Sequence, residues 1–280
     1  MKTTNGVNIP SKLLINCGVG LLATMTIYSG KAQAINLVLD SFDESVDGFQ
    51  FVSTDPDSGF PTQDQNGPNS ESNVVGQYRE LILFDVMNSN PPNVSDSVVF
   101  ADMGSSSLSW NNGDGVDSKL RVVWDGVNES FTNGINTTGL RTNNGGVGRD
   151  FTLMGALDSI GLELISADQG LQITVNIYTD NNSASTLSKT FNAISGSPTK
   201  TFYNFANFTT LAGFSGGANF ANVGAFELIL SGPTAVDASI TFVEAAVDPN
   251  PPIPEVPEPN LAKGLLAFSL LSGLLAVTKR

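Results

Sequence analysis

The 280-residue chain carries 27 acidic against 13 basic side chains, with no histidine and one cysteine, for a formal net charge of −14 at pH 7. So acidic a chain repels phosphate backbones, which argues against nucleic acid as a partner. Absent imidazoles remove the usual zinc, haem and copper ligands together with any Ser-His-Asp relay.

The chain opens with a processing signal. Lys2 and Lys12 precede an apolar, small-residue segment from Leu13 to Ile27, and Ala32-Gln33-Ala34 offers the small side chains that a signal peptidase accepts. Residues 1–34 are therefore expected to be a signal peptide, with the mature chain starting at Ile35. Cys17 does not suit lipid attachment, because the polar Asn16 precedes it and the apolar segment continues beyond it.

Residues 35–247 form the expected domain. They hold 24 acidic and 7 basic side chains, a net −17, and no cysteine. A chain of this length buries roughly 70% of its unfolded surface and needs no disulfide, even in an oxidising compartment.

Its residues follow a two-residue period. Runs from Ile35 to Leu39 and Phe49 to Val52 precede an Asp-, Pro-, Ser- and Asn-rich stretch, Ser53 to Asn73, which reads as a long surface loop. Further runs cover Arg79 to Val86 and Ser97 to Asp102. Leu120, Val122 and Trp124 then alternate with polar neighbours, as a half-buried strand requires. No window outside the two end segments shows a convincing 3.6-residue stripe, although Phe151 to Asp158 could be a short helix. Beyond it come Gly161 to Ile165, the alternation Leu171, Ile173, Val175, Ile177, and runs from Thr186 to Phe191 and Lys200 to Phe205. Phe226, Leu228 and Leu230 form another stripe, and Ala238, Ile240 and Phe242 the last. Clusters such as Asn111-Asn112-Gly113-Asp114-Gly115, Asn143-Asn144-Gly145-Gly146 and Asp180-Asn181-Asn182 separate these runs with residues that tolerate positive φ. The prediction is an all-β chain, an antiparallel β-sandwich of jelly-roll type. No fixed-period repeat points to a propeller or solenoid.

Apparent catalytic motifs dissolve on inspection. Gly213-Phe214-Ser215-Gly216-Gly217 matches a nucleophile elbow, but the chain has no histidine to take the Ser215 proton and no lysine in the neighbouring segment. It reads as a glycine-rich turn. Trp124-Asp125 is an isolated dipeptide on an alternating strand, so Trp124 is expected in the core. A carboxylate-pair glycosidase needs a separation that sequence spacing does not give, and no enzyme activity is expected.

Oxygen ligands suit calcium better. Asp114 and Asp117 lie in a Gly-Asn loop, Asp55-Pro56-Asp57 makes a second cluster, and Asp40 and Asp43 near the start could meet Asp237 on the final strand. At that last point the chain loosely resembles jelly-roll carbohydrate-binding modules, and the resemblance implies first and last strands meeting around a structural calcium. For sugar binding, Trp110 beside Asn111 and Asn112, and Tyr178 on the polar face of its strand, are the candidate rings.

The C-terminal segment is an address. Prolines 249, 251, 252, 254, 257 and 259 make residues 248–259 an extended spacer of roughly 35 Å. An apolar stretch from Gly264 to Val277 follows, about 21 Å as a helix against a hydrocarbon core of ~30 Å, and ends at Lys279-Arg280. The order Val256-Pro257-Glu258-Pro259, short apolar helix, terminal basic residues resembles the PEP-CTERM sorting signal over residues 256–280. The resemblance implies an exosortase-type membrane processing enzyme as partner, a membrane anchor through 260–280, a Gram-negative-type envelope and association with exopolysaccharide. Two functional readings stand: a structural protein of the surface or extracellular matrix, or a calcium-assisted polysaccharide-binding module. The second requires Trp110, Tyr178 or other rings on a common face.

Overall fold

The computed structural model describes residues 36–42, 50–53, 63–66, 74–88, 98–102, 106–113, 115–127 and 134–250. The signal peptide with Ala32 and Ala34, the acidic residues Asp43, Asp55, Asp57 and Asp114, and everything from 251 onward, including the Val256–Pro259 motif and the apolar tail, lie outside them. The chain divides into Met1–Gln33 and Ala34–Arg280, and every described residue belongs to the second unit. No helix among the described residues is long and apolar enough to cross a membrane.

Strands dominate. In chain order they are β1 (Leu37–Asp40), β2 (Gln50–Ser53), β3 (Gln63–Asn66), β4 (Arg79–Asn88), β5 (Val98–Asp102), β6 (Ser107–Asn111), β7 (Val116–Trp124), β8 (Ser159–Ala167), β9 (Leu171–Asp180), β10 (Ser183–Phe191), β11 (Thr199–Asn204), β12 (Thr209–Thr210), β13 (Ala225–Ser231) and β14 (Asp237–Ala246), with one short helix, α1 (Gly139–Thr142). All ladders between these strands are antiparallel. Sheet I runs β11-β8-β14-β6-β5-β2, with β1 also on β14; sheet II runs β12-β10-β9-β13-β7-β4-β3.

The alternation of the sequence sets which face turns inward. Leu171, Ile173, Val175 and Ile177 of β9, Leu120, Val122 and Trp124 of β7, and Phe226, Leu228 and Leu230 of β13 all point into one buried cluster. Ile160, Leu162 and Leu164 of β8 and Leu108 and Trp110 of β6 meet them from sheet I. The two sheets thus share a single core, which makes the fold a β-sandwich.

β14 is the organising strand of sheet I. One edge pairs with β8 along most of its length; the other pairs first with β6, from Asp237 to Ile240, and then with β1, from Val243 to Ala245. The register shifts between Ser239 and Phe242, so the side chains beyond that point change faces. Val243 and Ala245 therefore enter the core and Phe242 does not, which corrects the expected stripe of Ala238, Ile240 and Phe242.

Other expectations change for local reasons. The stretch expected as one surface loop contains β2's last residue and β3, the latter paired with β4. Phe151 to Asp158 is a turn and not a helix, because Leu153, Met154 and Gly155 all take positive φ (43°, 60° and 87°). Asp150 fixes this turn by accepting hydrogen bonds from the backbone N–H groups of Thr152 and Met154.

One polar cluster sits inside the core. Asp40 Oδ1 accepts from Phe42 N at 2.8 Å, Arg79 Nη1 lies 3.0 and 2.9 Å from the two carboxylate oxygens, and Trp124 Nε1 donates to Oδ2 at 2.7 Å. Both ionic side chains are buried, at 0% and 1% exposure, and the guanidinium also lies 5.2 Å from the Phe42 ring centroid. The cluster joins β1 of sheet I to β4 and β7 of sheet II.

Candidate functional site

The structure separates the residues that the sequence grouped as a calcium site. β1 and β14 do pair, but Asp40 stands opposite Val243, six residues along β14 from Asp237, or about 20 Å at strand rise. Asp40 also has its oxygens filled by Arg79, Trp124 and Phe42, so it does not serve as a calcium ligand with Asp237. Asp237 pairs instead with Asn111, and its N–H donates to Asp168 Oδ1 at 2.7 Å. Burial and, next, the Asp168 charge raise the Asp237 pKa above the ordinary carboxylate value. Asp117 lies on β7, in register with Met87, and is half-buried. Among the described residues no group of three His, Cys, Asp or Glu side chains is placed to hold a metal.

The candidate sugar-binding rings are also placed differently. Trp110 is 1% exposed because its position on β6 faces the core, and its Nε1 donates to Ser118 Oγ at 3.3 Å. Only Asn111, at the end of β6, is exposed. Tyr178 does lie on the outer face of sheet II, but it is 6% exposed, packs edge-on against Phe214, and donates its hydroxyl to Glu227 Oε2 at 2.8 Å. Burial, followed by the Glu227 charge, pushes the phenol pKa far up. Neither ring is open for stacking on a sugar, which corrects the expected platform of Trp110 and Tyr178. The Gly213–Gly217 segment is a turn as expected: Ser215 Oγ donates to Asn182 O.

Glu227 is the centre that sequence reading missed. Register places Asn176 of β9 and Val123 of β7 on either side of Glu227 of β13, with Arg121 two pairs further along β7 and so on the same face. Asn176 Nδ2 donates to Glu227 Oε2 at 2.7 Å, and Arg121 Nε lies 2.7 Å from Oε1. The guanidinium covers the Phe84 ring of β4 at 4.7 Å. Four strands are thereby cross-linked on one outer face, with Glu227 only 1% exposed. This arrangement holds a charge in place and leaves no carboxylate oxygen of Glu227 open for acid–base work.

The outer face of sheet I is more open. Strand register sets Phe202 of β11 beside Gly161 of β8, Gly161 beside Glu244 of β14, and Glu244 beside Val38 of β1. Glu244 is buried, forms an ion pair with Lys200, and accepts from Asn36 Nδ2. Lys200 Nζ lies 5.4 Å from the Phe202 centroid and 5.2 Å from that of Phe242, the ring turned outward by the β14 register shift. Asn36, Lys200, Phe202, Glu244, Val247 and Pro249 line a cleft of about 460 Å³. The signal that marks these centres is the scarcity of cations: Arg79, Lys119, Arg121 and Lys200 each meet a carboxylate.

No protein-family model and no curated protein matches the chain. Among solved structures, it is similar to a family 11 carbohydrate-binding module from Clostridium thermocellum in complex with a β-1,3-1,4-mixed-linked tetrasaccharide, at 9% identity and a TM-score of 0.35, over 76% of this chain and 95% of that one. An agarase is similar at 11% identity and a TM-score of 0.33, over 59% of this chain and 25% of the agarase.

Proposed function

We propose that the protein is an exported structural component of the cell surface or extracellular matrix, delivered by its PEP-CTERM-type tail after an exosortase-type enzyme acts on it. The reading supposes a jelly-roll sandwich. The pairing of strands distant in sequence supports that, with β8 beside β14 in one sheet and β9 beside β13 in the other. One observation carries the functional reading: Trp110 and Tyr178, the rings a binding platform would expose, are buried and committed to Ser118 and Glu227. The net −17 of residues 35–247 suits a soluble displayed body that repels its own copies.

The test is fractionation of producing cells, comparing the parent with Pro257→Ala/Glu258→Ala/Pro259→Ala. The parent is expected outside the cell with an intact mass lacking residues 1–34 and the apolar tail, and the variant is expected to stay in the membrane. Full-length parent in the cytosol would overturn the reading.

Polysaccharide binding is the second reading, favoured by the cleft on sheet I, where a ring, an amide and an ammonium surround a buried carboxylate. It does not use Asp40 or Asp237 as calcium ligands.

A further inference from the structure

Between Phe202 and Glu244, two residues that line the cleft on the outer face of sheet I, the register places a glycine. Gly161 lies mid-strand in β8, where glycine costs roughly 0.5–1 kcal/mol relative to alanine and often marks a close approach. A Cβ here would stand 3.3 Å from Glu244 Cγ and 3.5 Å from Lys200 Cε. The missing side chain makes room for the Lys200–Glu244 pair to lie against the strand backbone. Around that floor stand Asn36 and Val247, both exposed, and Lys200, whose side chain is 38% exposed.

The donors are only partly used. An ammonium has three protons and an amide two, and Lys200 and Asn36 each give Glu244 one contact, which leaves donors on both and the Asn36 carbonyl oxygen for a ligand. An apolar ring wall beside fixed hydroxyl partners is what a pyranose needs, since its C–H face is apolar and its rim carries hydroxyls. The volume of about 460 Å³ has room for a sugar ring and part of the next. Charge selects the class. Glu244 neutralises Lys200, and the surrounding domain is strongly acidic, so a uronate, sulfate or phosphate polymer would be repelled.

We propose that the cleft of Asn36, Lys200 and Phe202 binds a neutral sugar ring of an extracellular polysaccharide, packed against Phe202 and hydrogen-bonded to Lys200 and Asn36. This rests on the polysaccharide-binding reading. Two measurements test it on the full-length chain in a non-glycosidic detergent. In native affinity electrophoresis, gels containing neutral β-glucan, xyloglucan or galactomannan are expected to retard the parent in at least one case, and alginate is not. Phe202→Leu, which keeps apolar volume and removes the ring, is expected to weaken retardation about tenfold. In the second measurement, the retarding polysaccharide is expected to slow acetylation of Lys200 by an amine-reactive reagent, read by mass spectrometry, while the similarly exposed Lys119 reacts at its usual rate. This arm needs no variant to fold. Retardation with Lys200 labelled at an unchanged rate overturns the cleft and leaves polysaccharide binding standing. Retardation by alginate alone overturns the neutral class. No retardation in any gel, alginate included, overturns both the cleft and the polysaccharide-binding reading.

Discussion

Trp124 on β7 donates its indole N–H to Asp40 on β1 across the interior of the sandwich, at 2.7 Å from a carboxylate that is fully buried. The bond matters because Arg79 shares that carboxylate. Removing one member of a buried ion pair costs about 3–5 kcal/mol, since the remaining charge keeps its desolvation penalty. Asp40→Asn in the full-length chain is therefore expected to lower the thermal midpoint by roughly 10 °C, at about 2–4 °C per kcal/mol for a domain this size. Asp40→Leu combined with Arg79→Met should be less damaging than either single change. A double variant as unstable as the sum of its parts would contradict this.

Both tryptophans of the chain are at most 1% exposed. Their emission should be blue-shifted and poorly quenched by acrylamide, and a bound polysaccharide should leave it unchanged. Solvent-like emission with efficient quenching would place Trp110 back on the surface.

Two glycines make a matched pair of tests. A Cβ on Gly224 would lie 2.1 Å from Thr137 O and 2.7 Å from Thr179 O, both backbone atoms that have nowhere to go. Gly224→Ala is expected to destabilise by about 3 kcal/mol. At Gly161 the neighbours are the flexible side chains of Glu244 and Lys200, so Gly161→Ala should change stability by less than about 1 kcal/mol. Urea denaturation of the two variants checks the ordering.

Asp237 gives a pH signature. Its folded pKa is raised by burial and then by Asp168, so between the ordinary value of 3.8 and the raised one the folded state holds more protons than the unfolded state. Stability must fall as pH rises through that window. Asp237→Asn removes the penalty, so the variant should be more stable than the parent at pH 7, with the gain vanishing as pH drops below about 3.8. A gain independent of pH, measured by denaturant midpoints at pH 7 and pH 3.5, would falsify the assignment.

The strands that the sequence reveals are those with a clean two-residue period. Leu171 to Ile177 and Leu120 to Trp124 appear where the alternation puts them, facing the core. β6 escapes notice because Ser107 and Ser109 interrupt two apolar residues within a serine-rich stretch, and Trp110 then looks like a rim residue beside asparagines. β3, with the sequence Gln-Asp-Gln-Asn, has no apolar residue at all. Its pairing with β4 is tertiary information. The same limit hides the site. Phe242 reads as core until a register shift in β14 turns it outward, and Glu227 reads as an ordinary polar-face residue until β7 and β9 bring Arg121, Asn176 and Tyr178 to it. Partners supplied by neighbouring strands cannot be seen in the spacing of a single one.

The seat of β14 between β8 on one edge and β6 and β1 on the other decides how the domain answers traction. Tugging on a C-terminal tether enters the sandwich at Ala246, along a strand whose hydrogen bonds lie across the line of force on both flanks. Such bonds are strained together and must rupture in concert, whereas an outermost strand would unzip rung by rung. A copy held by its C-terminal end, as the proposed sorting tail would hold it, would thus resist being dragged from that end.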